Sequence, residues 1–124
     1  MKALSIKQPW AGLIAGGFKT IETRSWQTKY RGDLLICSSR KAMIGMGHEF
    51  YLHPLCHYQG SSICLVKVVD CVPMEEKHQI DAMCRVYVGA WAWMLEDVRP
   101  VKQIPVSGKL SIFEVDFSYE DLKP

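Results

Sequence analysis

The chain has 124 residues, 48% of them hydrophobic and 23% charged, with a formal net charge of +2. That length suits one compact domain spanning residues 1–124, with one core, and is too short for two ordinary ones. So small a net charge excludes a protein that coats nucleic acid through its bulk field, so any such contact needs a local patch.

The charge is in fact uneven. Residues 1–41 carry eight Lys or Arg against two acids, Glu22 and Asp33, while the remainder is net negative. No apolar run approaches the roughly 20 residues that span a bilayer, and Met-Lys is followed by no export signal. The five cysteines (Cys37, Cys56, Cys64, Cys71, Cys84) form no CxxC pair. Reduced thiols and a cytoplasmic location are the expectation, with no membrane association.

In chain order, residues 3–6 read as a first strand. Pro9 opens a helix, where its missing N–H costs little. Trp10, Leu13 and Ile14 share one face of that helix, and Gly16-Gly17 ends it. Residues 19–24 alternate as a strand, with Thr20, Glu22 and Arg24 on one face. Residues 30–33 (Tyr-Arg-Gly-Asp) form a turn into a buried strand over 34–37. A helix is expected over 40–52 from Met43, Met46 and Phe50, and a loop over 53–60. Residues 63–69 make an apolar central strand, 74–83 a polar helical or irregular segment, and 91–98 another strand. Pro100, Pro105 and Gly108 break the next stretch into short extended pieces before a last strand over 110–117. Many short strands with two or three helices give an α+β fold: a small curled sheet or open barrel with helices at its ends.

The functional signal is densest in residues 7–32, which hold five cations, two tryptophans, a tyrosine and a single carboxylate. Glu22 and Arg24 point the same way, and Lys19 sits at the joint before them. Arg24 and Lys19 suit phosphate or carbonyl oxygens, and Glu22 can orient them or read a base edge. Taken alone, such a trio is more often a solvated strand face. Trp10, Trp26 and Tyr30 flank it, and aromatic faces stack on bases at about 1–3 kcal/mol each. Trp91 and Trp93 alternate onto one strand face and read as core or cleft wall. Ser38, Arg40 and Lys41 end the 34–37 strand, where Ser38 or Ser39 can cap the expected helix and the cations can hold an anion.

His48, His53, Cys56 and His57 have no standard zinc spacing, so an ordinary polar loop is expected and no metal. Cys37 and Cys64 read as core, and Cys56 beside His57 is the one thiol with a neighbouring base. No phosphate loop, dinucleotide glycine fingerprint or Ser-His-Asp set is present, and no cofactor is expected.

Three stretches together resemble the activating-signal-cointegrator homology (ASCH) family: QPWA at 8–11, GFKTIETRSW at 17–26 and YRG at 30–32. The likeness extends to the central strand, the aromatic strand near Trp93 and the V-x-G-K segment at 106–109. It implies a PUA-like open β-barrel of five to six strands with two or three flanking helices. It also implies a role in handling RNA or nucleosides. Gly17, Lys19, Glu22 and Arg24 carry the signature and are expected to line a cleft. One branch of the family deacetylates N4-acetylcytidine with a lysine, a threonine and a glutamate. Lys19 matches that lysine, but Glu22 stands where the threonine falls; Glu75 and Glu76 follow the central strand. The QPWA motif brings this chain nearer the branch found in transcription coactivators.

The leading expectation is binding of RNA, single-stranded nucleic acid or a modified nucleotide. Its residues are Lys7, Trp10, Lys19, Glu22, Arg24, Trp26, Tyr30, Arg31, Ser38, Arg40 and Lys41. The alternative is an amidohydrolase acting on a modified nucleoside, with Lys19 and Glu22 catalytic. A third is a module whose aromatic patch meets a partner protein.

Overall fold

The computed structural model describes residues 1–42, 48–51 and 53–124. Six strands form one mixed sheet: β1 (Lys2–Gln8), β2 (Ile21–Arg24), β3 (Gly32–Ala42), β4 (Ser62–Pro73), β5 (Trp91–Pro100) and β6 (Ile112–Glu114). Their order is β2-β5-β4-β3-β1-β6, antiparallel throughout except for the parallel β1–β3 pair. Among the described residues two short helices, α1 (Trp10–Ala15) and α2 (Gln79–Ala82), flank it. Among the described residues no helix is long and apolar enough to cross a membrane.

The central strands are apolar on both faces because both are covered. Leu34 and Ile36 point to one side and pack with Leu4, Ile6, Val66, Trp93 and the α1 residues Ala11 and Ile14. Leu35 and Cys37 point to the other and pack with Ala3, Leu65, Val101, Val106, Phe113 and Leu122. The C-terminal segment thus serves as the second cover. Register shifts in the β1–β3, β3–β4 and β4–β5 ladders mark bulges, which bend strands and add twist. The sheet curls until edge strand β2 reaches β1, where Arg24 Nη2 donates to the Ser5 carbonyl at 3.0 Å. The result is an open, barrel-like α+β fold.

Gln8 anchors α1. Its side chain is fully buried; Oε1 accepts from Gly12 N at 2.9 Å, and Nε2 donates to the carbonyls of Leu55 at 2.6 Å and Tyr58 at 2.7 Å. Pro9 occupies the cap position and offers no side-chain hydrogen bond, so the preceding amide satisfies the helix terminus instead. Gly12 lies against the one-turn 3-10 helix Pro54–His57, and a Cβ there would fall 2.4 Å from Cys56 N. Gly17 ends the turn at φ +79°, a conformation that costs glycine little.

Three expectations change. The helix expected over 40–52 does not start at 40: β3 runs on through Ala42 because Ala42 still pairs with Gln8 of β1. His48–Tyr51 is a single 3-10 turn, and Met43 and Met46 lie outside the described residues. The loop over 53–60 contains the Pro54–His57 turn, whose first N–H groups are met by His53 Nδ1 accepting from Leu55 N. Of the strand expected over 110–117, only Ile112–Glu114 forms β6, paired with Lys2–Leu4 of β1, and Met1 and Val115 exchange hydrogen bonds just beyond that ladder.

Asp33 ties the sheet to the C-terminal cover. Arg99 of β5 donates to it twice, at 2.6 and 3.3 Å, and the Tyr119 hydroxyl donates to the same carboxylate. The Arg99 guanidinium holds the Asp33 carboxyl below its ordinary range.

This packing has two measurable consequences. Gln8→Leu keeps the volume but strands one N–H and two carbonyls, so it should cost at least about 2 kcal/mol in urea unfolding. A carboxylate whose folded pKa is depressed stabilises above its unfolded pKa, near 3.8 for Asp33, and that share is lost as pH falls through the folded value. The Tm gap between the wild type and Asp33→Asn should therefore be present at neutral pH and close in strongly acidic solution.

Candidate functional site

The gap where β2 approaches β1 is a cleft with a volume of about 1050 Å³. Its floor is Lys19, Glu22 and Arg24. Alternation along β2 places Glu22 and Arg24 on one side of the strand, and the Gly17 turn delivers Lys19 to the same place. Glu22 Oε1 stands 3.6 Å from Lys19 Nζ, and Oε2 lies 3.2 Å from both Nε and Nη2 of Arg24. Lys19 Nζ also donates to the Ala82 carbonyl at the end of α2 and lies 5.6 Å from the centre of the Trp10 ring. The side chains of Lys19 and Glu22 are only 4% and 8% exposed, and that of Arg24 20%. Burying such charges is tolerable only because each has an opposite charge and a hydrogen bond.

The walls differ. On the β1–β3 side, parallel pairing brings Lys7 beside Ser39, Arg40 and Lys41, and Lys109 joins them from the segment before β6. Arg40 reaches that segment through Ser107 Oγ at 3.4 Å. On the β2 side stand Thr23, Ser25 and Trp26, with Cys84 and Tyr87 from the segment after α2. Arg24 lies over the Trp26 ring at 5.5 Å. Trp26 is held edge-on to the buried Trp93, whose indole N–H donates to the Trp26 carbonyl at 3.2 Å. Among the described residues six cations line the cleft (Lys7, Lys19, Arg24, Arg40, Lys41, Lys109) against one carboxylate, Glu22. A cleft so lined draws in anions and offers planar groups an aromatic face.

Of the sequence-derived candidates, Lys7, Trp10, Lys19, Glu22, Arg24, Trp26, Arg40 and Lys41 line this cleft; Tyr30, Arg31 and Ser38 do not. Tyr30 turns its hydroxyl to the Asp33 carbonyl, packs on the core and lines a second, smaller cavity. Arg31 donates to the carbonyls of Thr28 and Tyr30, at 3.0 and 2.9 Å, and faces Asp70. Ser38 is buried and bonded to the backbone of Ser61 in both directions, while its neighbour Ser39 faces the cleft. Neither serine caps a helix, since both lie within β3. Tyr87, Cys84 and Lys109 were missed. Only Lys109 had a signal, the V-x-G-K segment.

The remaining chemistry is placed elsewhere. Glu75 and Glu76 are exposed at the 3-10 turn Glu76–His78, away from the cleft lining, with Glu75 bonded into its cap. Burial pushes the thiols of Cys37 and Cys64 up to about 12 and raises that of Cys56, whose Sγ donates to the Pro9 carbonyl. His57 Nε2 meets the Tyr51 carbonyl at 3.1 Å. Among the described residues no group of three or more His, Cys, Asp or Glu side chains is gathered where a metal would sit.

The ASCH domain model matches residues 4–105. Human activating signal cointegrator 1 is 26% identical over 130 residues, a match that spans 91% of this chain and 22% of that protein. Its mouse counterpart is 50% identical over a shorter stretch of 38 residues, 31% of this chain and 6% of that one. The chain thus spans about a fifth of the human relative's length, or less in the mouse match. Among solved structures, ASCH from Zymomonas mobilis superposes with a TM-score of 0.66 at 16% identity, covering 92% of this chain and 86% of that one. A mutant form of that protein superposes at 0.62 with 15% identity, covering 92% and 88%. At these identities the structural likeness speaks for the fold.

The floor predicts its own test. Glu22→Ala leaves two partly or wholly buried cations unpaired and should destabilise the protein by about 3–5 kcal/mol in chemical denaturation. Glu22→Gln, which keeps a polar acceptor for Arg24, should cost less.

Proposed function

The chain belongs to the ASCH domain family, and we propose that its cleft binds single-stranded RNA or a modified nucleotide. The observation that carries this reading is the division of the cleft into a basic wall and an aromatic one. Lys7, Arg40, Lys41 and Lys109 take the phosphates along the β1–β3 side. Trp26 and Tyr87, both exposed to the cleft, receive a base on the opposite side. Phosphate contacts supply affinity and stacking supplies tolerance of different bases, the usual division of labour in single-strand binding. The paired floor holds the two walls apart and adds a net single positive charge.

Amide hydrolysis by Lys19 and Glu22 has less support. Glu22 Oε2 accepts from Arg24 and Oε1 lies 3.6 Å from Lys19, so the carboxylate already serves as counter-ion to both cations. Neither Glu75 nor Glu76 lines the cleft to replace it.

The test is fluorescence anisotropy with a labelled single-stranded RNA octamer over a salt series. Affinity should fall steeply as salt rises, with a log–log slope of about −0.7 for each phosphate contact. Arg40→Ala with Lys41→Ala should weaken binding and flatten that slope by about two contacts' worth. A slope unchanged by the double substitution would remove these cations from the interface. Absence of binding both to the RNA and to ribonucleoside monophosphates would end the proposal.

A further inference from the structure

The basic wall of the cleft is completed by residues 107–111, which lie outside the six strands, between two anchors. Val106 is the first anchor: it is buried, and its N–H donates to the Gly60 carbonyl at 2.8 Å. Ile112 is the second, paired with Leu4 of β1. Residues 107–111 between them are exposed, and they carry Lys109 to the cleft. Gly108 lies against Ser5 of β1. A Cβ at Gly108 would fall 2.5 Å from Ser5 Oγ and 2.8 Å from Ser5 Cβ. Backbone conformation does not call for glycine there, since Gly108 lies outside the left-handed region that Gly17, Gly32, Gly60 and Gly89 occupy. The close approach does.

We propose that Gly108 is a positioning residue of the basic wall: its missing side chain lets the 107–109 segment rest on β1, and that contact sets where Lys109 meets a ligand phosphate. The inference rests on the binding reading above. Rotating the Ser5 hydroxyl would relieve the first of the two clashes but not the second, because the backbone fixes Cβ. Nonbonded carbons settle at about 3.5–4.0 Å, so an added Cβ needs about 1 Å more room. β1 is the less free to yield it. Ser5 is paired with Cys37 of β3, the β6 ladder ends one residue before it, and its carbonyl holds Arg24 of the floor. The exposed segment moves instead, and Lys109, the next residue, moves with it. Arg40 Nη2 reaches Ser107 Oγ at 3.4 Å, too long a hydrogen bond to resist that shift. Ser5 thus meets the floor with its carbonyl and the wall with its side chain.

The test is a pair of double-mutant cycles on the RNA octamer, read as affinity and as salt slope. Gly108→Ala should weaken binding about fivefold in roughly 0.1 M salt and flatten the log–log slope by about 0.7, the share of one phosphate contact. A general loss of stability would leave that slope where it was. Ser5→Gly removes both atoms that the new Cβ meets, so Gly108→Ala should lose nothing further in that background. Nor should it in a Lys109→Ala background, where the contact is already gone. Unchanged affinity and slope in Gly108→Ala overturn the proposal, as does a full loss in either background. Thermal melts check that each variant is folded. Were Gly108→Ala to unfold the chain, the Ser5→Gly background decides: a folded double variant that binds as Ser5→Gly does supports the contact, and an unfolded one overturns it. If the wild type binds ribonucleoside monophosphates but not the octamer, the same cycles are run on uridine monophosphate. A wild type that binds neither overturns the binding reading and this proposal together, whereas binding indifferent to Gly108→Ala overturns this proposal alone.

Discussion

A single buried carboxylate between two cations decides much about this molecule. Glu22 neutralises Lys19 on one side and Arg24 on the other, and only with that pairing can either cation lie where it does. Lys19 then reaches α2 through the Ala82 carbonyl, and Arg24 reaches β1 through the Ser5 carbonyl. One ion triad therefore ties β2 to two parts of the fold, α2 and β1, that no sheet ladder joins to it. The open side of the barrel is held at a set width by these contacts, and the cleft is that width.

The rest of the fold supports this arrangement from behind. Gln8 ties α1 to the 55–58 segment, which brings Trp10 over Lys19. Trp93 is wholly buried and fixes Trp26 by both ring contact and hydrogen bond, so the aromatic wall stands on the core rather than on a loose loop. Arg99, Asp33 and Tyr119 pin the C-terminal cover to the far face, away from the cleft. A rigid scaffold with its charged groups already paired needs little reorganisation to receive a ligand.

Where sequence reasoning succeeded, the governing physics was local. The run 34–37 reads as a buried strand because its apolar residues continue through both faces. The pairing of Glu22 with Arg24 follows from the two-residue period of β2. The glycine pair ends α1 because one of them takes a left-handed conformation. It failed where a ladder overrode local pattern. Arg40 to Ala42 extend β3 although the methionine spacing beyond them suggested helix, because β1 is there to pair with. Ser38 and Ser39 exchange the expected roles for a similar reason: a bulge between Ile36 and Cys37, together with alternation, turns one inward to Ser61 and the other to the cleft.

From the chain alone came the family likeness, the α+β class, and the concentration of cations and aromatics that marks the first third as functional. These depend on residue type and short spacing, which sequence carries directly. The tertiary structure alone decided that the side chains of Tyr30 and Arg31 turn to nearby backbone carbonyls rather than to the cleft, and that Tyr87, Cys84 and Lys109 share the cleft with Lys19. It alone decided that Glu22 is buried between Lys19 and Arg24. The physical reason is that a strand's own period tells which side a residue takes, but not what stands across the gap. That neighbour is set by sheet order, bulges and curl, all of which depend on pairing between segments far apart in the chain.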